Sequence, residues 1–149
     1  MWFPAGTFGG IVGRTCTIPA GKAIFFPVIN SLSWSDDTSE ENVAQLRDWS
    51  RIGIDHVADL QAALDGVPIT GLTNFRFMSD LFPVAADPVD PVWPVVENAF
   101  GISNGCWLML EPLSPGQHRI EFRGKWVIPG TFPTTEVFET GVNYHLTVE

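Results

Sequence analysis

Glycine and proline interrupt this chain so often that it cannot contain many long regular elements. The 149 residues include 14 glycines and 12 prolines, and both residue types mark turns and break helices. Between the turns, apolar residues often fall on alternate positions, as at Leu60, Ala62 and Leu64. Because this period of two is typical of half-buried strands, the sequence predicts a mainly β fold built from short strands.

Two dipeptides predict hairpins. Asp65-Gly66 joins the alternating segments 60–64 and 67–69, and such a pair favours the two-residue turn with positive φ. Pro115-Gly116 separates 107–110 from 118–123 and fits the centre of a type II turn. We therefore expect an antiparallel hairpin at each pair.

Alternation elsewhere predicts strands with one face toward a core. Near the N-terminus, 11–18 and 23–29 read as a strand, a turn and a second strand. The other alternating apolar residues are Phe75 and Phe77, Ile120 and Phe122, and Tyr144, Leu146 and Val148.

One segment follows the period of a helix instead. Thr38 and Glu41 form a capping-box pattern, and the sequence predicts an amphipathic helix over about 39–56 that packs on the sheets. Its expected buried positions are Val43, Leu46, Trp49 and Ile52 or Gly53. Together these elements predict a single domain over 1–149, an antiparallel β-sandwich or jelly roll with one helix.

Charge and hydropathy exclude several classes of partner. The formal net charge of -9 repels phosphate backbones, so we expect no nucleic-acid partner. No apolar run approaches the ~18 residues that a membrane span needs, so we expect no membrane insertion. No signal peptide precedes Trp2, which favours a cytoplasmic location for the chain as it stands.

The segment 80–104 is expected to be a long ordered loop, because four prolines remove backbone donors from it. At its end, 101–105 match the G-x-S-x-G pattern of a nucleophile elbow, but no strand and helix flank the motif as an elbow requires. We interpret it as a flexible turn. The two cysteines, Cys16 and Cys106, are compatible with one disulfide or with two buried thiols.

Stretches over most of the chain resemble a group of uncharacterised, mostly secreted bacterial β-sandwich proteins. They are WFPAGTFGG (2–10), RTCTIPAGKA (14–23), FFPVIN (25–30), DGVP (65–68), LSPGQH (113–118) and YHLTV (144–148). The resemblance implies an export signal and a further cysteine-containing segment before Trp2, hence a secreted or periplasmic protein in which Cys16 has lost its partner. It brings no assigned reaction. A start that is late relative to this group is also expected of an open reading frame from environmental DNA, such as a mobile gene cassette.

Three tryptophans are the candidate ligand-binding residues. Trp34, Trp93 and Trp126 fall in or beside predicted loops, where exposed indoles could stack on a carbohydrate or another small ring-shaped ligand. The competing interpretation is that they are core residues, since a small sandwich needs several large aromatic side chains.

A cluster of carboxylates is the candidate metal site. Asp36, Asp37, Glu40 and Glu41 precede or begin the predicted helix, and their oxygens could surround Ca²⁺. The alternative is that they complement the helix dipole and cap its free N–H groups. No other cofactor is predicted.

Three functions stay open at this point. The first is a non-catalytic binding or interaction module of an exported protein. The second is a small hydrolase using carboxylates within 36–55 with His56 or Arg47, and the third is a homo-oligomeric structural subunit that associates through Trp2 and Phe3. The binding module is favoured because no specific chemistry supports the hydrolase.

Overall fold

The computed structural model describes residues 1–85, 98–130 and 135–149. Over these ranges the chain forms strands and one α-helix, in the following order. They are β1 (Gly10–Ile18), β2 (Ile24–Ser35), α1 (Glu40–Ile52), β3 (Val57–Leu64), β4 (Val67–Pro68), β5 (Arg76–Met78), β6 (Phe82–Val84), β7 (Ala99–Leu110), β8 (Gly116–Ile128) and β9 (Glu136–Val148).

The strands belong to two sheets. The five-stranded sheet has the order β1-β9-β8-β3-β4, and in the four-stranded sheet β7 pairs with β2 on one edge and with β5 and β6 on the other. All pairs of these strands are antiparallel except β1 with β9. The predicted β-sandwich is confirmed, with this parallel pair as an exception to its antiparallel pairing.

The main core lies between the two sheets. Phe26 of the four-stranded sheet stacks on Phe122 of the five-stranded sheet with their ring centroids 4.7 Å apart. The alternating residues of the last two strands face this core as expected. Its buried members from those strands are Ile120, Phe122, Val142, Tyr144, Leu146 and Val148.

Helix α1 packs on β2 and β7 of the four-stranded sheet. It begins after Ser39, whose hydroxyl accepts a hydrogen bond from the backbone N–H of Asn42, so the cap is Ser39 and not the predicted Thr38. The predicted helix over 39–56 is confirmed in position, although the α-helix ends at Ile52. Its buried positions are Leu46 and Ser50, whereas Trp49 and Ile52 are exposed.

Only the first predicted hairpin turn is correct. Leu64 pairs with Val67 across Asp65-Gly66, and both turn residues have positive φ, at 51° and 79°. By contrast, 111–115 carry the chain from β7 in one sheet to β8 in the other. The hairpin predicted at Pro115-Gly116 is wrong, because β8 pairs with β3 and β9 of the five-stranded sheet and not with β7.

The segment 80–104 differs from the predicted loop in the part that the structure describes. It contributes β6 and the first half of β7, and 101–105 lie within β7 as regular strand. The flexible turn predicted there is therefore wrong. The rest of the segment, 86–97, lies outside the described residues.

Candidate functional site

The outer face of the four-stranded sheet carries a groove lined by aromatic side chains. In β7, Ile102, Asn104, Cys106 and Leu108 are buried, so the residues between them point outward. The groove has a volume of about 640 Å³. Its large apolar residues are Phe25, Phe75, Phe77, Phe82, Trp107 and Met109.

Stacked rings form one wall of this aromatic groove. Phe25 and Trp107 lie nearly parallel, with their centroids 5.4 Å apart and 9° between the ring planes. Phe3 meets the edge of Phe25 at 6.0 Å and 88°. Such pairs stabilise each other beyond the effect of area burial, so the wall is preformed.

Other apolar residues of the groove are highly exposed. Phe77 is 66% exposed and Met109 is 60% exposed, although large apolar side chains in a small domain are ordinarily buried. Phe75 is also exposed. The prediction that Phe75 and Phe77 face the core is therefore wrong, because no described element covers this side of the sheet.

Two glycines of β7 pair with aromatic residues of the groove. Gly105 lies opposite Phe77 and Gly101 lies opposite Phe82, so these outward positions of β7 carry no side chain. A Cβ at Gly105 would lie 2.5 Å from the carbonyl oxygen of Ile29. This close approach occurs beside a bulge in β2 between Pro27 and Ile29.

Both serines that line the aromatic groove are bonded within the protein. The Ser79 hydroxyl accepts a bond from the backbone N–H of Ser103, and the Ser103 hydroxyl donates to the carbonyl of Ser31. Asn74 and Arg76 also line the groove. Because the two serines are bonded within the protein, the groove fits an apolar ligand better than a polar one.

The structure places the predicted tryptophans elsewhere. Trp34 lies in β2 opposite Gly101, half-buried on the outer face but outside the groove lining. Trp126 lies in β8, where its indole packs on Gly53 and stacks on Phe138 at 5.4 Å. Trp93 lies outside the described residues. Trp34 and Trp126 lie within the last three residues of long strands, beside the segments that follow, so their role in ligand binding stays a prediction.

The acidic cluster organises the start of the helix. Asp37 accepts hydrogen bonds from the backbone N–H and the hydroxyl of Ser39, at 2.8 and 3.1 Å. Glu40 and Glu41 occupy the first turn, where carboxylates complement the helix dipole, and Asp36 is exposed. In the part of the chain that the structure describes, no group of three or more His, Cys, Asp or Glu residues is arranged to hold a metal ion. The calcium prediction gains no support.

Several residues of the predicted hydrolase already have partners in the protein. His56 Nδ1 lies 2.7 Å from the carbonyl oxygen of Ile52, and Asp55 forms an ion pair with Arg76. Arg47 contacts the sulfur of Met78. Both cysteines are free thiols, in strands of different sheets, and burial raises the pKa of each.

His118 has the strongest electrostatic environment among the histidines. Its Nδ1 lies 2.7 Å from an Asp65 carboxylate oxygen, and its Nε2 lies 2.9 Å from the carbonyl oxygen of Ser114. The bond to Asp65, helped by the Ser114 carbonyl, raises the pKa of His118. The same bond and the backbone N–H of Arg119 lower the pKa of Asp65. These contacts hold the β3–β4 turn against the start of β8.

No protein-family model, curated protein sequence or solved structure matches the chain. The resemblance to exported β-sandwich proteins therefore stays a prediction, as does the location that it implies. Within the described ranges, no helix has the length and apolar character to cross a membrane.

Proposed function

We propose that the protein is a non-catalytic binding module that holds an apolar, ring-bearing small molecule in the aromatic groove. The observation that carries the proposal is the exposure of Phe77 and Met109 beside the stacked pair Phe25 and Trp107. Exposed apolar surface of this kind marks sites where something binds.

The size and chemistry of the groove favour a small molecule. Its volume of about 640 Å³ falls within the range of ~300–1,000 Å³ typical of ligand pockets. A carbohydrate would require many hydrogen bonds, and the groove serines Ser79 and Ser103 are already bonded within the protein. A flat ring can instead stack on Trp107 and contact the edge of Phe77.

The test is calorimetric titration of the purified chain with 2-naphthol, a neutral bicyclic probe, and with cellobiose as the carbohydrate probe. We expect saturable binding of 2-naphthol. Phe77→Ser and Trp107→Ala should each raise its dissociation constant about tenfold, because each removes one aromatic contact. Phe77 is mostly exposed, so its substitution leaves the fold intact.

Trp49→Ala is the matched control, since Trp49 is a 48% exposed indole on helix α1 and does not line the groove. It should leave the affinity for 2-naphthol unchanged. Binding of cellobiose but not 2-naphthol would replace the proposed ligand class by carbohydrate. Self-association of the wild type that Phe77→Ser abolishes, without binding of either probe, would instead support the homo-oligomer.

A further inference from the structure

Arginines surround a second cavity, on the other side of strand β5 from the aromatic groove. The cavity has a volume of about 420 Å³ and is lined by Arg51, Asp55, Arg76, Met78 and Asn104. Arg47 adjoins it, with Nη1 3.6 Å from the sulfur of Met78. Half of the six arginines in the chain therefore meet at this arginine cavity.

The fold brings these side chains together from two elements. Arg47 and Arg51 lie one turn apart on α1, so they share a face of the helix. Arg76 and Met78 alternate with the outward-facing Phe77 and pair with buried residues of β7, so they point inward, toward the helix. The cavity lies where the helix face meets the edge strand.

Buried hydrogen bonds fix one guanidinium in place. Asn104, only 1% exposed, accepts a bond from Nε of Arg76 at 3.2 Å and donates to the carbonyl of Ser50 at 3.3 Å. Arg76 Nη2 also donates to Asp55 at 2.5 Å. Arg76 is thus preoriented, which lowers the entropy cost of binding a ligand.

The other two guanidinium groups keep most of their donors free. The only described side-chain partner of Arg47 is the thioether of Met78, which is a weak acceptor. Within the described ranges the guanidinium of Arg51 has no hydrogen bond or ion pair. Two guanidinium groups and one carboxylate, that of Asp55, therefore line the cavity, and the guanidinium of Arg47 adjoins it, in a chain whose net charge is -9.

We propose that the arginine cavity binds a small organic oxyanion, either a carboxylate or a phosphate ester. Guanidinium groups bind both through paired, charge-assisted hydrogen bonds. The cavity is larger than an inorganic ion needs, which leaves room for an organic portion. This site shares Arg76 with the aromatic groove but is proposed for a ligand of different chemistry.

The test is calorimetric titration with glycerol 3-phosphate and with succinate at constant ionic strength. Neither probe carries a ring to stack in the aromatic groove, and the varied residues Arg51 and Asp55 do not line that groove. Arg51→Gln should weaken binding about tenfold, the effect of losing one charged hydrogen bond. Asp55→Asn should strengthen it, because it removes the negative charge of the one carboxylate that lines the cavity.

Arg119→Gln is the matched control, since Arg119 is an exposed arginine on the other sheet. It should bind both probes as the wild type does, and the thermal midpoints of all variants confirm that they are folded. Tighter binding of glycerol 3-phosphate identifies the oxyanion as phosphate, and tighter binding of succinate identifies it as carboxylate. Absence of saturable binding to the wild type, or equal losses in Arg51→Gln and Arg119→Gln, would overturn the proposal.

Discussion

The two outer faces of the sandwich have opposite chemistry, although their sheets share one core. On the five-stranded sheet, the outward positions of β8 are Gln117, Arg119, Glu121 and Arg123, and ion pairs join Arg119 to Glu121 and Arg123 to Glu139. This is the alternation expected of an antiparallel sheet with one face in water.

The four-stranded sheet departs from that rule. Its outer face carries Phe25, Phe77, Trp107 and Met109 in place of charged residues. Leaving such side chains in water gives up the free energy of burying them, roughly 1.5–3 kcal/mol for a full side chain. The charged face is therefore the solvated face, and the exposed aromatic face is the candidate binding surface.

The largest expected change in stability comes from adding a side chain at Gly105, which lies opposite Phe77. Gly105→Ala should destabilise the protein by about 2–3 kcal/mol, because its Cβ would meet the carbonyl oxygen of Ile29 at 2.5 Å and the Cβ of Asn30 at 2.7 Å. Urea denaturation followed by circular dichroism measures the free energy of unfolding.

The matched substitution on the polar face is Gly13→Ala. Gly13 lies in β1 opposite Asn143, and nothing lies within 4 Å of its Cβ position. We expect a change of less than about 0.5 kcal/mol. Equal losses at the two glycines would show that the close approach beneath the groove is not a constraint.

The sequence predicts correctly those parts of the fold that one local interaction determines. Asp65-Gly66 determines its own turn because both residues must adopt positive φ. The alternation at Ile120 and Phe122 identifies core residues because polar residues flank them. The crossing at Pro115-Gly116 could not be predicted in this way, because β8 pairs with β3 and β9, which are distant from β7 in sequence.

The aromatic groove could not be predicted from the sequence for a related reason. Alternation shows that Phe75 and Phe77 share a face but not which layer lies beyond that face. A signal did exist in Ile24–Phe26 and Trp107–Leu110, which are apolar at consecutive positions. Such runs indicate strands that are apolar on both faces. In this fold one of those faces is exposed.

A pH titration tests the stability of the five-stranded sheet, since among the described strands only those of this sheet contain histidine. The raised pKa of His118 stabilises the fold below the unfolded value of about 6.5, and this contribution is lost as pH rises through the folded pKa. The lowered pKa of Asp65 acts above about 3.9, and its contribution is lost as pH falls through the folded pKa.

Both contributions are therefore fully present between about pH 4 and 6.5. Within that window Asp65→Asn should cost about 1 kcal/mol, a small value because Asp65 is 45% exposed and screened by solvent. Its difference from wild type should shrink on either side of the window. Urea denaturation at several pH values measures this, with His145→Gln as the control, and parallel curves for Asp65→Asn and wild type would contradict it.

The smallest expected change in stability comes from replacing one outward residue on each face. The two variants should differ in their binding to an apolar matrix. Phe77→Ser and Glu121→Ser each replace one outward residue, and each should change the free energy of unfolding by less than about 0.5 kcal/mol. Retention on a hydrophobic interaction column should fall for Phe77→Ser alone, because Phe77 is 66% exposed beside Met109. Equal retention of both variants and wild type would mean that the aromatic side chains do not act as one apolar surface. Reduced retention without a loss of stability would show that the aromatic face contributes to contact with other molecules and not to folding.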